Sequence, residues 1–162
     1  MLLPGKRNYI LLSIFDFLYL FAWSSTMAFF VIWTTQHLGI SATQTGLLYS
    51  INAFIALLMQ PFFGFISDKF GLKKQLIWII VALLLPVGPF FIYVYAPLLT
   101  HSFWLGAVLG GVYLGIIFNS GCGVIDSYID KISRRYGFEY GRVRMWGSLG
   151  WAVASSFSGL LF

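Results

Sequence analysis

Charge is the scarcest commodity in this chain. Only 9% of its 162 residues are charged, against roughly 25% in globular domains. There are five acids, Asp16, Asp68, Asp126, Asp130 and Glu139, two histidines and one cysteine. A single cysteine, Cys122, cannot build a disulfide framework. His37 and His101 stand without ligand-spaced partners, which argues against a metal site. A membrane enzyme would need a nucleophile, a metal set or a paired acid and base. Only Asp16, Asp126 and Arg144 lie within apolar runs, so the enzyme class is set aside.

What is present instead is apolar. Hydrophobic residues make up 59% of the chain, aromatics 20%, and the mean hydropathy is +0.86. A soluble domain of this composition would have little polar surface to show to water. An integral, all-α membrane protein is the expectation, with the 17 glycines permitting close helix approach and Trp and Tyr favouring interfaces. Lys6 and Arg7 precede an apolar run far longer than the ~7–15 residues of a signal core, so a span is expected there rather than a cleaved leader.

Five spans are expected, at about 8–33, 46–66, 75–96, 103–129 and 143–162, each near the ~20 residues that cross a bilayer. Ser41 is placed to cap the second. Pro86 and Pro89 should kink the third. Asn52 and Gln60 are the buried polar candidates of the second span. Charged links are expected at 67–74 and 130–142, and an uncharged one at 97–102. All ten Lys and Arg then fall on one side, at the N-terminus, the 67–74 link and the 130–144 region. The positive-inside rule puts that side, and the N-terminus, in the cytoplasm of a multi-pass cell-membrane protein. The same placement explains the net charge of +5 without nucleic acid as a partner; the bilayer is the partner instead. The chain ends in an apolar run at Leu161-Phe162, which raises the expectation of a longer protein.

The link after the second span reads Gly64-Phe-Ile-Ser-Asp68-Lys69-Phe-Gly71-Leu-Lys73-Lys74. Its glycines allow a tight reversal and its lysines are ordinary membrane-face anchors. A plain cytoplasmic hairpin explains that much. The chemistry sits further on, from Asn119 to Trp151. Asn119, Cys122 and Asp126 share one helix face at i, i+3 and i+7. Arg144, Ser148 and Trp151 share another at i, i+4 and i+7. Asp126 and Arg144 should lie at similar depth on adjacent antiparallel helices, roughly 5–10 Å in at 1.5 Å per residue. They are therefore expected to pair. Ionisable groups inside a span usually face a cavity or a partner. A carboxylate, a guanidinium fork and an indole face together suit a sugar, whose hydroxyls meet the charges while its C–H face lies on the ring. A structural ion pair with an interface Trp would use the same residues. Asp16 shares a face with Ser13, Leu20 and Trp23 and is expected to line the cavity, a protonated and buried acid being the alternative; it receives no task. Trp23 is a second ring-stacking candidate or a packing residue. The glycines Gly106, Gly110, Gly111 and Gly115 form small-xxx-small pairs that point to close helix packing.

The G-x-x-x-D-K-x-G-x-K-K pattern resembles the cytoplasmic loop between the second and third helices of the major facilitator superfamily. The resemblance implies a gating role for Gly64, Asp68, Lys69, Gly71, Lys73 and Lys74. The stretches GRVRMWGSLGW, FEYG and SRR resemble the lactose permease family of oligosaccharide:proton symporters, and the likeness covers the whole chain. It implies the first five helices of a six-helix N-terminal half, a sugar site at Asp126, Arg144 and Trp151, and a second half of the same chain as partner; face spacing adds Asn119, Ser148 and Trp23 as candidates beside that site. It also implies a proton as coupling ion, with no other cofactor. Lactose-type members carry Glu where this chain has Asp126. The stretches 121–127, 146–148, 22–24 and 48–52 look more like the sucrose branch, which favours sucrose or a related oligosaccharide over a galactoside. A structural or channel-like subunit, with the polar residues as helix glue, is the alternative.

Overall fold

Helices form wherever the chain is apolar and stop where a glycine or an extended residue stops them. The computed structural model describes residues 4–71 and 74–160. Lys73 of the expected gating loop, and Leu161 and Phe162 of the expected fifth span, lie outside the described residues. In order come α1 (Pro4–Ile32), a π-helical turn (Trp33–His37), α2 (Ala42–Phe70), α3 (Gln75–Leu84), α4 (Val87–Phe90), a second π-helical turn (Phe91–Tyr95), α5 (Ala96–His101), α6 (Phe103–Leu114), a third π-helical turn (Gly115–Ser120), α7 (Gly121–Tyr136) and α8 (Tyr140–Leu160). No strand occurs among the described residues, and the fold is all-α. The stretches 4–37, 42–69 and 103–136 are each long and apolar enough to cross a membrane, and 75–101 is a fourth if its bent halves form one span. α8 is less apolar, carrying Arg142, Arg144 and four serines in 21 residues.

The chain divides into two compact units, 33–124 and a second made of the N-terminal 32 residues with 125 onward. In the first unit, Ser41 caps α2 as expected. Its Oγ accepts from Gln44 N and the Gln44 side chain accepts from Ser41 N, both at 3.2 Å, a reciprocal capping box. The end of α2 differs from the expected boundary at Ile66. The helix runs on to Phe70, so Gly64, Asp68 and Lys69 are helical and the reversal falls to Gly71, at φ +59°. Charged residues do not break a helix; the first residue able to take a left-handed φ at low cost does. Pro86 separates α3 from α4, and the chain bends there by 50°. The Tyr113 hydroxyl donates to Leu83 O, a carbonyl beside the bend. Pro97 does not end the helix, as the expected 97–102 link required. It sits in the first turn of α5, where its missing N–H costs nothing, and the break comes at Ser102 with φ −149°. The glycine stripe packs closely: a Cβ at Gly106 would strike Leu99, at Gly110 the Tyr95 ring and at Gly111 Ile55. Asn52 is half-buried, whereas Gln60 is exposed, contrary to expectation.

In the second unit, α7 continues through Tyr136, where the sequence suggested a loop over 130–142. Arg134 Nε donates to Asp130 Oδ1 at 3.1 Å, an i,i+4 pair that suits a helix. Nothing stops the helix before Gly137, at φ +73°, whose N–H closes on Ser133 O at 2.9 Å. Only residues 137–139 connect α7 to α8. α8 then runs alongside α1, and the two are parallel: Asp16 meets Arg144 and, seven residues on, Trp23 meets Trp151. Glycines set their separation. A Cβ at Gly147 would collide with the side chains of Asp16 and Leu20, and one at Gly150 with the Phe17 carbonyl. Ser24 Oγ donates to Trp151 O at 3.2 Å and lies 2.9 Å from Ser155 Oγ.

Two glycine substitutions separate close packing from helix propensity. Gly150→Ala forces α1 and α8 apart and should lower the thermal midpoint in detergent, with an overpacking cost of about 1–3 kcal/mol. Gly123→Ala meets open space and should leave the midpoint unchanged or raise it slightly, because alanine favours a helix by roughly 1 kcal/mol. Equal midpoints for the two variants would show that Gly150 does not set the spacing.

Candidate functional site

Asp126 and Arg144 come together because α7 and α8 form a hairpin around a three-residue turn. Asp126 lies ten residues before Tyr136 on one arm, and Arg144 lies in the first turn and a half of the other. Arg144 Nε stands 3.4 Å from Asp126 Oδ1. The pairing expected from the sequence is present. A third group joins it from α1: Asp16 Oδ2 lies 3.6 Å from Arg144 Nη1. Both separations exceed the ~2.7–3.2 Å of a hydrogen bond, so these two contacts are chiefly coulombic. The Tyr140 side chain, at the start of α8, lies within electrostatic reach of the Asp126 carboxylate.

Burial grades the three charges. The Asp16 side chain is 1% exposed, Asp126 28% and Arg144 32%. Asp16 is thus sealed between α1 and α8, while the Asp126–Arg144 pair is open to an approaching molecule. Asp16 does not line an open cavity as expected; it is buried against α8. A signal was nevertheless there: Asp16 precedes Trp23 by seven residues, as Arg144 precedes Trp151. Two helices with the same acid-or-base-to-indole step, set side by side in parallel, bring both pairs together.

The indoles form the other end of the site. Trp23 and Trp151 meet edge to face, with centroids 5.3 Å apart and an interplanar angle of 81°. Trp151 keeps 39% of its surface exposed. Seven residues of helix place these rings about 10 Å along the axis from the ion cluster. Charged hydrogen-bonding groups and an aromatic platform therefore lie about two helical turns apart.

The other expected site residues fall elsewhere. Ser148 is exposed on α8, and its hydroxyl donates to Arg144 O of its own helix at 3.3 Å. Asn119 is half-buried in the π-helical turn at 115–120, within the other compact unit. Gly64, Asp68 and Lys69 ride on the last turns of α2, Gly71 ends it and Lys74 precedes α3, with Asp68, Lys69 and Lys74 exposed. Sequence reasoning did not identify the partnership of Trp146, whose Nε1 donates to Tyr9 Oη at 3.1 Å and ties α8 to the start of α1.

Comparison with known proteins meets this geometry from another direction. The family model of the LacY proton/sugar symporter matches residues 2–162. The chain is 46% identical over 155 residues to the melibiose permease of Enterobacter cloacae subsp. cloacae, covering 96% of this chain and 36% of that protein. It is 44% identical over 157 residues to the raffinose permease of Escherichia coli, covering 97% and 37%. It is 43% identical over 150 residues to the sucrose permease of Escherichia coli, covering 93% and 36%. The chain spans little more than a third of the length of these relatives. With the match running from end to end of a multi-pass, all-helical membrane chain, the protein belongs to the LacY proton/sugar symporter family.

Proposed function

We propose that the protein imports a disaccharide or related oligosaccharide together with a proton, by alternating access, and that this chain supplies N-terminal helices of that transporter. The observation that carries the reading is the solvent-open Asp126–Arg144 pair lying two helical turns from the Trp23–Trp151 platform. In this reading Asp126 accepts from sugar hydroxyls and Arg144 donates to them in a forked geometry. Trp151 carries the C–H face of a sugar ring, and Trp23 braces it edge-on. The N-terminus is cytoplasmic, and the Gly64–Lys74 segment gates on that side. Asn119 and Ser148 are secondary contacts. The family's transport function supports reading the protein as a transporter rather than an enzyme, with the rest of the polypeptide and the bilayer as its partners.

Identities to the melibiose, raffinose and sucrose permeases are 46%, 44% and 43%, too close to favour one of those sugars. Proton coupling rests on the family description.

Uptake of labelled sucrose, raffinose, melibiose and lactose by cells making the full-length protein tests this reading. Accumulation of one sugar that collapses with a protonophore is the expected result. No uptake of any of them, with the protein present in the membrane, would overturn the sugar assignment.

Two sets of variants test the residue roles. Arg144→Lys should weaken sugar binding a hundredfold or more while the protein stays folded, because an ammonium cannot reproduce the fork. Binding at the wild-type level would remove Arg144 from the site. For the platform, equilibrium binding should fall modestly in Trp151→Tyr and much further in Trp151→Ala. Equal losses in the two would argue against ring stacking.

A further inference from the structure

The sugar-site reading leaves Asp16 without a task. Its side chain is almost fully buried, where those of Asp126 and Arg144 are partly open. The packing around it leaves it little freedom. A side chain at Gly147 would collide with its Oδ2 and with Leu20 on the next turn, and one at Gly150 would meet the Phe17 carbonyl. The α8 backbone thus closes on α1 at this point and holds the carboxyl group in place.

Arg144 is the opposite case. Its guanidinium ends a long, flexible side chain on the open side of the site. Such a side chain loses rotamer freedom when it grips a ligand in a fork, and the loss weakens binding unless the group is already held. Asp126 faces its Nε at 3.4 Å, but in the sugar-site reading that carboxylate also serves the ligand. Asp16 Oδ2 faces a different nitrogen, Nη1, at 3.6 Å and from a different helix. Contacts at two edges of a planar group fix its plane, where one contact lets it swing. Other neighbours of the arginine add to this restraint and do not remove it.

We infer that Asp16 is a positioning residue of the sugar site: through its contact with Nη1 it holds the Arg144 guanidinium in the posture that receives sugar hydroxyls. Asp16 itself does not touch the ligand, being sealed between α1 and α8. Its effect on sugar binding rests on the sugar-site reading above, whereas its hold on Arg144 does not. Placement, and not charge alone, is the property at work, because the carboxyl group lies against a glycine that admits no side chain.

Phenylglyoxal, which adds to guanidinium groups, reads the restraint on the full-length protein without sugar. The rate at which the peptide carrying Arg144 is modified is followed by mass spectrometry in wild type, Asp16→Asn and Gly147→Ala. Asp16→Asn keeps the shape and removes the charge; Gly147→Ala keeps the charge and forces the carboxyl group aside. Modification should be several times faster in both. Equilibrium binding of the sugar that the uptake panel identifies should weaken about tenfold in both, within the range of coupling between contacting residues. The loss should fall on the half-saturating concentration for exchange more than on the maximal rate, a split that a general loosening of the helix pair would not give. A wild-type modification rate in either folded variant overturns the inference, and if one variant does not fold, the other decides alone. Faster modification with unchanged sugar affinity overturns the role in binding. Should the panel find no transported sugar, the sugar reading fails, and the modification rate still decides whether Asp16 holds Arg144.

Discussion

One guanidinium shared by two carboxylates is the constraint on which the second compact unit depends. A guanidinium set among apolar helices is costly unless counter-charges offset it. Here the offset comes from two directions, Asp126 on α7 and Asp16 on α1. That arrangement needs three helical segments to converge at one depth. The Asp126 side chain reaches Arg144 across the α7–α8 turn, and Gly147 and Gly150 let α1 approach α8 until Asp16 reaches the arginine. The glycines and the ions are therefore one device. Bulk at Gly147 would push aside the very carboxylate that Arg144 requires.

The parallel register of α1 and α8 extends that device along the helices. Once Asp16 meets Arg144, a common rise carries Trp23 to Trp151 two turns later, and Ser24 bonds to Ser155 and the Trp151 carbonyl beside them. The position of the aromatic platform relative to the charges is thus fixed by helix geometry and not by loops. This suits recognition of a ligand that is polar at its edges and apolar on its faces, because the two kinds of contact stay at a constant spacing of about 10 Å.

Much of this was legible locally. Ser41 as a cap, the bend at Pro86, the close-packed glycines and the Asp126–Arg144 pair all follow from spacing and residue chemistry. The helix ends at Ile66 and Ile129 were misplaced because charge was read as an end signal. Helices α2 and α7 carry their charged residues outward for another turn or more, to Gly71 and Gly137. The partnership of Asp16 was not legible, since it depends on α1 lying beside a helix more than 120 residues away. Face arithmetic also has a limit at Asn119. The π-helical turn at 115–120 has a wider period than an α-helix, so a count of i, i+3, i+7 carried through it no longer defines a single face.

The two carboxylates hold different edges of the arginine, Asp126 at Nε and Asp16 at Nη1, and this has a mechanistic consequence. A ligand that draws the guanidinium toward itself at the open, Asp126 side changes the counter-charge felt by the sealed carboxylate behind it. The reverse also holds: how closely the sealed carboxylate holds Nη1 alters how freely Arg144 turns toward a ligand. Coupling of this kind is reciprocal by thermodynamic necessity. It requires no long pathway, because the exposed and the buried acid touch the same planar cation.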